Sequence, residues 1–585
     1  MSNRKIKVLE IDLSTEKIKT HSREDLNKYL GGTGLAAKLY TDMVNPDLEP
    51  LDQEQAFVLA NGPLNVIFPV VTKVVAIFRS PLTGEYGESH AGMRLSLGMR
   101  GAGFDAIIVK GKARRPTYLV IGPNGVELRD ASAIWGLGDD EIGNILRDLV
   151  PGRGHRSMLR IGPAGEKLVS FACVNVDTYR HFGRLGFGAV FGSKNLKAMV
   201  IYGDLDEKIN DLSTYRKTYE KIYEKVVSTD MMDKYHGLGT AANVLPLNAG
   251  EGLPTKNLQS GTFEHAEQIS GETFAEETLL RQVACSGCPI GCIHLGLFRQ
   301  EFGSNYEYKS KMIAYDYEPI FALGSYLGMS SADKFYKMFD LVEELGLDAI
   351  TAGIALGWVT EAFENGLVDE KTLGTRVEFD DTEGYSIVLQ NIVKQPNDFY
   401  KTLALGTEAA AKAYGGLDYA MTMAKTEMAG YHTGHAHIVG QAIGARHSHL
   451  DNAGYSIDQK NQDQNDPENM VQELIEEEKW RNVLTSLCIC LFAREIYDPD
   501  TVVSALKAID IDMDQESLME LGEEIYFLKH RLRTKLGYDP KNLRFPKRFF
   551  ETRSLTGEIK EDIIEKMMEI YNREMDREIQ DINNS

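Results

Sequence analysis

Three closely spaced cysteines constrain this chain more than any other feature. In QVACSGCPIGCIHLG they stand at Cys285, Cys288 and Cys292, a C-x2-C-x3-C spacing. Three thiolates on so short a loop suit three corners of an iron–sulfur cubane, which needs a fourth ligand. Pro289 and Gly291 suit a tight loop whose backbone amides can hydrogen-bond cluster sulfur. The chain has 6 cysteines, and the remaining ones are Cys173, Cys488 and Cys490, so any fourth thiolate comes from far away in sequence. A four-cysteine zinc site is one competing reading. Structural zinc usually takes two C-x2-C knuckles, whereas here one compact triplet meets one remote thiolate. Reduced cysteines with a structural role are the third reading.

Cysteines are few for a disulfide framework in a chain of 585 residues. That length calls for two to four domains. The N-terminus, MSNRKIKVLEIDLSTEKIKT, lacks the apolar stretch of a signal peptide, so a cytoplasmic location is expected. No apolar run approaches the length of a membrane span. A formal net charge of −22 repels nucleic acid and anionic lipid, so neither is expected as a partner. An acidic electron carrier would have to dock on a local basic patch.

Short β-branched runs dominate residues 1–207: AFVLANGP, KVVAIF, FDAIIVKGKA, TYLVIG and KAMVIYG read as strands. From Asp211, a plausible N-cap, helical spacing takes over. The stretch SADKFYKMFDLVEELGLDAITAGIALGWVTEAFENG predicts two helices joined at Gly346, the second largely buried. AYGG near residue 415 closes another helix, and the last segment of the chain predicts an amphipathic helix covering a core face. The expected fold class is α+β, with a β-rich N-terminal domain (1–207) and two mainly α-helical domains (208–415 and 416–585).

Read with its surroundings, the triplet resembles the aldehyde ferredoxin oxidoreductase family, tungsten-containing enzymes, along nearly the whole chain. YLGGTGLAAKLY, NGPL, RSPLTG, SHAG, IGPAGEKLVSFACVN, RHFGRLGFGAVFGSKNLKAM, YEPIFALGSYLG, EELGLDAITAG and TSLCICLF occur in the family's order. GAVFGSKNLKA and the cysteine triplet are the specific pieces. The resemblance implies an oxidoreductase with a tungsten or molybdenum bis-pterin, a Mg2+ ion bridging the pterin phosphates, and one [4Fe-4S] cluster in an N-terminal pterin-binding domain and the helical domains behind it.

Carried over residue by residue, the resemblance makes Cys490 the fourth cluster ligand. Cys488, two residues earlier on an expected helix, lies about half a turn away and is read as packing. Lys73 stands where the family bridges cofactor and cluster with arginine. The carbonyls of His90 and His181 fall to the magnesium. Gly92, Arg180, Gly183, Arg184 and Gly186 fall to the pterin and its phosphates, because glycine permits close approach and arginine gives bidentate contacts. Glu343, Leu347 and Asp348 fall to one pterin, Thr485 and Ile489 to the other. The family usually has aspartate at the positions of Glu343 and Thr485.

For catalysis the resemblance points to Glu318, which sits among aromatic residues that raise a carboxyl's pKa by desolvation, and to a histidine in GARHSHLDNAGYS. His449 is preferred to His447, and a metal-ligating role for these imidazoles is the alternative. The implied reaction is oxidation of a small aldehyde to its acid, with electrons passing through the cluster to ferredoxin or a ferredoxin-like subunit in a homo- or hetero-oligomer. One alternative is an aromatic acyl-coenzyme A reductase of the class II benzoyl-coenzyme A reductase type. Such enzymes ligate tungsten through an additional cysteine, and none occurs here from residue 293 to 487. The other alternative is a non-catalytic iron–sulfur electron-transfer subunit.

Overall fold

The computed structural model describes residues 5–150, 155–206, 208–303, 307–460 and 466–584. The predicted strands form two six-stranded sheets. The first contains β1 (Ile6–Asp12), β2 (Lys17–Arg23), β3 (Phe57–Ala60), β4 (Val74–Arg79), β5 (Tyr86–Ala91) and β6 (Ala106–Lys110), in the order β2-β1-β6-β3-β4-β5. The second contains β7 (Thr117–Gly122), β8 (Gly125–Asp130), β9 (Arg156–Arg160), β10 (Val174–Val176), β11 (Arg180–Phe182) and β12 (Leu196–Tyr202), in the order β11-β10-β9-β12-β7-β8. Each sheet has a single parallel pair, β1 with β6 and β7 with β12.

Side chains alternate across a strand, and in the first sheet both faces are apolar. Leu9, Phe57, Leu59, Ala76 and Phe78 meet Leu119, Ile121, Leu159 and Met199 of the second sheet. Val8, Val58, Val75, Ile77 and Ile108 turn the other way, against Leu484, Val502 and Ile525 from the C-terminal third of the chain. Burial on both faces explains why these strands read as continuous apolar runs. Between the sheets Phe187 lies at the centre of an aromatic group, with Phe57, Phe78, Phe182 and Phe191 at centroid distances of 5.1, 4.6, 5.5 and 5.0 Å.

The helical region matches its sequence pattern. Asp211 caps helix Leu212–Ser228 by accepting from the Ser213 and Thr214 amides. Helix Ala332–Leu345 stops at Gly346, whose φ of 75° is one that L side chains rarely adopt. Asp348 then caps the almost wholly buried helix Ala349–Glu364. In the terminal helix Glu561–Asn584, Ile564, Met567, Tyr571 and Met575 recur at helical spacing and are buried.

An antiparallel sheet of β13 (Leu279–Val283), β14 (Ile293–Gly303) and β15 (Glu307–Tyr315) interrupts this region. Because Val283 pairs with Ile293, Cys285, Cys288 and Cys292 all hang in one hairpin loop.

Phe187→Ala removes the centre of the inter-sheet aromatic group, and the expected cost is about 3–5 kcal/mol. The urea midpoint of unfolding is expected to fall well below that of the control Phe302→Ala, whose side chain is 69% exposed. Equal midpoints would show that the two sheets do not depend on this contact.

Candidate active site

Backbone pairing brings the fourth cysteine to the hairpin loop. The Cys490 amide donates to the Val70 carbonyl at 3.1 Å, the Lys73 amide to Cys488 at 3.1 Å, and the Val70 amide to Gly287 at 3.1 Å. Cys285, Cys288, Cys292 and Cys490 thereby line one cavity of about 340 Å³. Among the described residues no three His, Cys, Asp or Glu side chains converge tightly enough to hold a single ion. The four thiols surround a space, not a point.

The expectation that Cys488 and Cys490 share a helix is corrected. The helix ends at Ser486, Cys488 takes φ 60°, and Ile489 forms an antiparallel bridge with Val71. The left-handed residue turns the Cys488 thiol into a fully buried apolar pocket, where desolvation pushes its pKa far up. Cys173 is also buried.

Cations crowd the same cavity. The Lys73 ammonium faces Cys490, Cys285 and Cys292, and the Arg180 guanidinium faces Cys292 and Asp316. Arg184 donates from Nη2 to the Glu427 carbonyl at 2.6 Å, and its Nε lies 3.5 Å from Asp348. Arg184 Nε and Nη1 are buried and make no hydrogen bond among the described residues. Glu427 is buried beneath this guanidinium and accepts from the Thr407 amide, and its other oxygen lies 3.1 Å from the Thr351 hydroxyl oxygen.

The glycines divide by cause. A Cβ at Gly183 would meet nothing nearer than His181 Cβ at 3.9 Å, so this position borders open space. A Cβ at Gly186 would stand 2.1 Å from the Ser170 carbonyl oxygen, at a φ of 84°, and one at Gly188 would stand 2.3 Å from the Cys173 carbonyl oxygen. Backbone packing therefore gives both glycines a cause of their own. Gly92 makes room for Cys285, whose Sγ would lie 2.7 Å from an added Cβ.

β5 and β11 are edge strands of their sheets and pack against each other, which brings His90 and His181 together. The His181 imidazole lies 2.9 Å from Glu343; burial opposes its protonation, but that carboxylate outweighs burial and raises the pKa. Beside it, Leu347 and Asp348 line a smaller cavity of about 170 Å³ with Glu343 and His181. Asp348 also accepts from the Thr351 hydroxyl at 2.6 Å. Ile489 lines the main cavity. The Thr485 hydroxyl instead donates back to the Arg481 carbonyl at 2.9 Å and does not line it.

Glu318 lines all three cavities around this centre, the third being about 570 Å³. It accepts the Gly430 amide at 3.1 Å, and its other oxygen lies 3.3 Å from His449 Nε2. Desolvation dominates, and the carboxyl pKa is pushed up to about 8. Burial, then the neighbouring His437 and Arg184, hold the His449 imidazole far below its usual range. A protonated carboxyl and a neutral imidazole thus stand side by side at pH 7. His447 is corrected as a candidate, because it points away from the main cavity, 3.2 Å from Glu85 and beside Arg533.

Sequence reasoning missed Glu88. It accepts from Lys529 at 2.9 Å, His90 at 2.6 Å, Tyr86 at 2.6 Å and Thr33 at 2.9 Å. Burial would raise its pKa, but Lys529 and its other partners hold it far below the usual range. The available signal was strand alternation, which puts Glu88 on the same face as His90.

Comparison with known proteins bears directly on this arrangement. The pattern described as "Aldehyde ferredoxin oxidoreductase, N-terminal domain" matches residues 8–203, and "Aldehyde ferredoxin oxidoreductase, domains 2 & 3" matches residues 217–576. The chain belongs to the aldehyde ferredoxin oxidoreductase family. Tungsten-containing aldehyde ferredoxin oxidoreductase of Pyrococcus furiosus is 32% identical over 564 residues, covering 93% of this chain and 91% of that one. The enzyme of the same name from Pyrococcus horikoshii is 31% identical over 568 residues, with the same coverage of 93% and 91%. Among solved structures, the active-site complex BamBC of benzoyl coenzyme A reductase with 1,5-dienoyl-CoA superposes with a TM-score of 0.79. It shares 20% identity and covers 97% of this chain and 94% of its own, a likeness of fold.

Within this aldehyde ferredoxin oxidoreductase fold, the two loop glycines are expected to respond oppositely. Gly186→Ala forces a positive φ on alanine and a clash with the Ser170 carbonyl, so soluble yield and melting temperature fall. Gly183→Ala keeps a wild-type melting temperature. The same loss in both variants would show that the loop is uniformly intolerant.

Proposed function

We propose that this chain oxidises aldehydes to carboxylic acids at a tungsten or molybdenum bis-pterin held in the main cavity. Electrons pass through a [4Fe-4S] cluster to ferredoxin or a ferredoxin-like subunit. The observation that carries the reading is Glu318, a buried carboxyl raised to about 8, standing against His449 in the cavity that the four cysteines line.

The residues present fit such groups. Four thiols around a space suit a cubane better than one zinc ion, whose sulfur ligands must converge to about 2.3 Å. Arg184 Nη1, which makes no hydrogen bond among the described residues, and the open space at Gly183 suit a phosphate or pterin oxygen. Lys73 and Arg180 face the thiols and line the same cavity as Arg184. His90 and His181 stand on the edge strands β5 and β11, which pack against each other, and their carbonyls would be the groups to hold a Mg2+ ion. Glu343, Leu347 and Asp348 would meet one pterin and Ile489 the other. When bound, the cofactors supply two-electron exchange with substrate and one-electron export.

The protein's own contribution is the proton. Aldehyde plus water yields acid, two electrons and two protons. Glu318 accepts one proton at its carboxylate oxygen, and His449, neutral and 3.3 Å away, orients that oxygen and relays. Because the carboxyl pKa lies near 8, the proton-accepting form is the minor one at pH 7 and grows with pH.

Oxidation by the wild type is therefore expected to rise with pH through about 8. Glu318→Gln is expected to keep full metal and iron content, lose that pH limb, and turn over aldehydes at least about a hundredfold more slowly. Full cofactor loading with near-normal turnover would refute the catalytic role. The same carboxyl binds more protons folded than unfolded between pH 4.5 and about 8, so wild-type stability falls relative to Glu318→Gln as pH rises through that window.

Cys490→Ser is expected to lower bound iron and degrade the reduced-state EPR spectrum, while Cys488→Ser leaves both near wild type. Equal loss in the two variants overturns Cys490 as the fourth ligand.

A further inference from the structure

The third cavity, of about 570 Å³, shares Glu318, His449, Arg180, Asp316 and Cys292 with the main one. The proposed reaction uses its inner end and leaves its outer part unexplained. Two stacked aromatic pairs line this cavity, and Phe492 of the first also lines the main one. Tyr235 and Phe492 lie 4.0 Å apart at 13°, and Tyr431 and Tyr455 lie 4.6 Å apart at 21°. Pocket walls of this kind present flat, rigid apolar area and favour a flat ring between them.

Two cations border the same space, Lys234 and Arg494. Lys234 Nζ lies 2.7 Å from the Asn243 side-chain oxygen, and no carboxylate among the described residues offsets its charge. The carboxylate nearest Arg494 is that of Glu495, 3.7 Å away on a side chain that is 60% exposed. Arg494 also meets the Tyr235 hydroxyl, so its charge is held at the edge of the aromatic wall. Arg494 also borders a neighbouring cavity with Glu473, Glu476, Glu477 and Glu495, whereas Lys234 faces no such carboxylates among the described residues. Two cations beside one cavity still stand out in a chain of net charge −22. They give an otherwise repelling surface a local attraction for a small anion.

We propose that this cavity receives an aryl aldehyde bearing an anionic group at the end remote from its carbonyl. The inference rests on the aldehyde-oxidising reading of Glu318. The aldehyde carbon lies at the Glu318 end, the ring lies between the aromatic pairs, and the anion meets Lys234 and Arg494. Water supplies the oxygen that bonds to the carbonyl carbon, and the C–H bond breaks. Two electrons leave to the cofactor and its iron–sulfur acceptor, one of the two protons goes to Glu318, and the other goes to solvent water. A small neutral aldehyde would fill little of this volume and would leave both cations unused.

The test uses the purified holoenzyme with benzaldehyde, 4-formylbenzoate and 4-formylbenzenesulfonate in dye-linked assays, alongside Lys234→Met and Arg494→Met. The wild type is expected to prefer at least one anionic aldehyde over benzaldehyde in kcat/KM by at least about tenfold. Each variant is expected to erase most of that preference. A carboxylate-specific preference assigns the anion as carboxylate, and equal preference assigns charge alone. A wild-type ratio near one, or a ratio unmoved in both variants, overturns the proposal. Calorimetric binding of terephthalate, the oxidation product of 4-formylbenzoate, gives a readout independent of turnover. If no aldehyde is oxidised but terephthalate binds and both variants weaken it, the anion site stands and the reaction assigned to Glu318 falls. If terephthalate does not bind the wild type, the anion site falls whatever the activity.

Discussion

Three backbone hydrogen bonds hold the centre of this molecule together. They run from Cys490 to Val70, from Lys73 to Cys488, and from Val70 to Gly287. Each joins segments hundreds of residues apart in sequence, apart from which the four thiols would share no cavity. Main-chain bonds suit this task because they fix position without depending on side-chain rotamers. The left-handed turn at Cys488 lets the segment leave its helix, pair with Val71 and still present Cys490 to the hairpin loop.

Around that centre the same low-polarity surroundings treat two buried carboxylates in opposite ways. Glu88 has four hydrogen-bonding donors, two of them able to carry positive charge, and stays ionised. Glu318 has one amide and an imidazole that burial keeps neutral, so it holds its proton to about pH 8. Burial alone therefore decides neither outcome; the partners do. Glu88 behaves as a fixed counter-charge for Lys529, while burial keeps its other partner His90 neutral. Glu318 is left free to change state at a junction of cavities.

Much of the fold was legible in the sequence because local pattern and tertiary environment agree. The β-branched runs became strands of doubly covered sheets, and Asp211, Gly346 and the apolar helix Ala349–Glu364 appear where capping and periodicity place them. The residues that were misread depend on contacts with distant segments. Nothing near Cys488 announces a left-handed residue, since the pairing strand lies more than four hundred positions away. The packing of Gly186 against the Ser170 carbonyl is likewise invisible in its own segment. His447 and His449 are indistinguishable in composition, and the fold separates them by turning one toward Glu85 and the other toward Glu318. Thr485, placed by resemblance, bonds to its own helix.

The doubly covered first sheet also carries a consequence for how the chain is made. Its outer face, with Val58, Val75 and Ile108, is closed by Leu484, Val502 and Ile525. Those residues leave the ribosome several hundred positions later, which at roughly 5–20 residues per second means tens of seconds. Throughout that interval a nascent N-terminal region displays an uncovered apolar sheet. Until the C-terminal helices arrive, that face is the part of the nascent chain most exposed to aggregation.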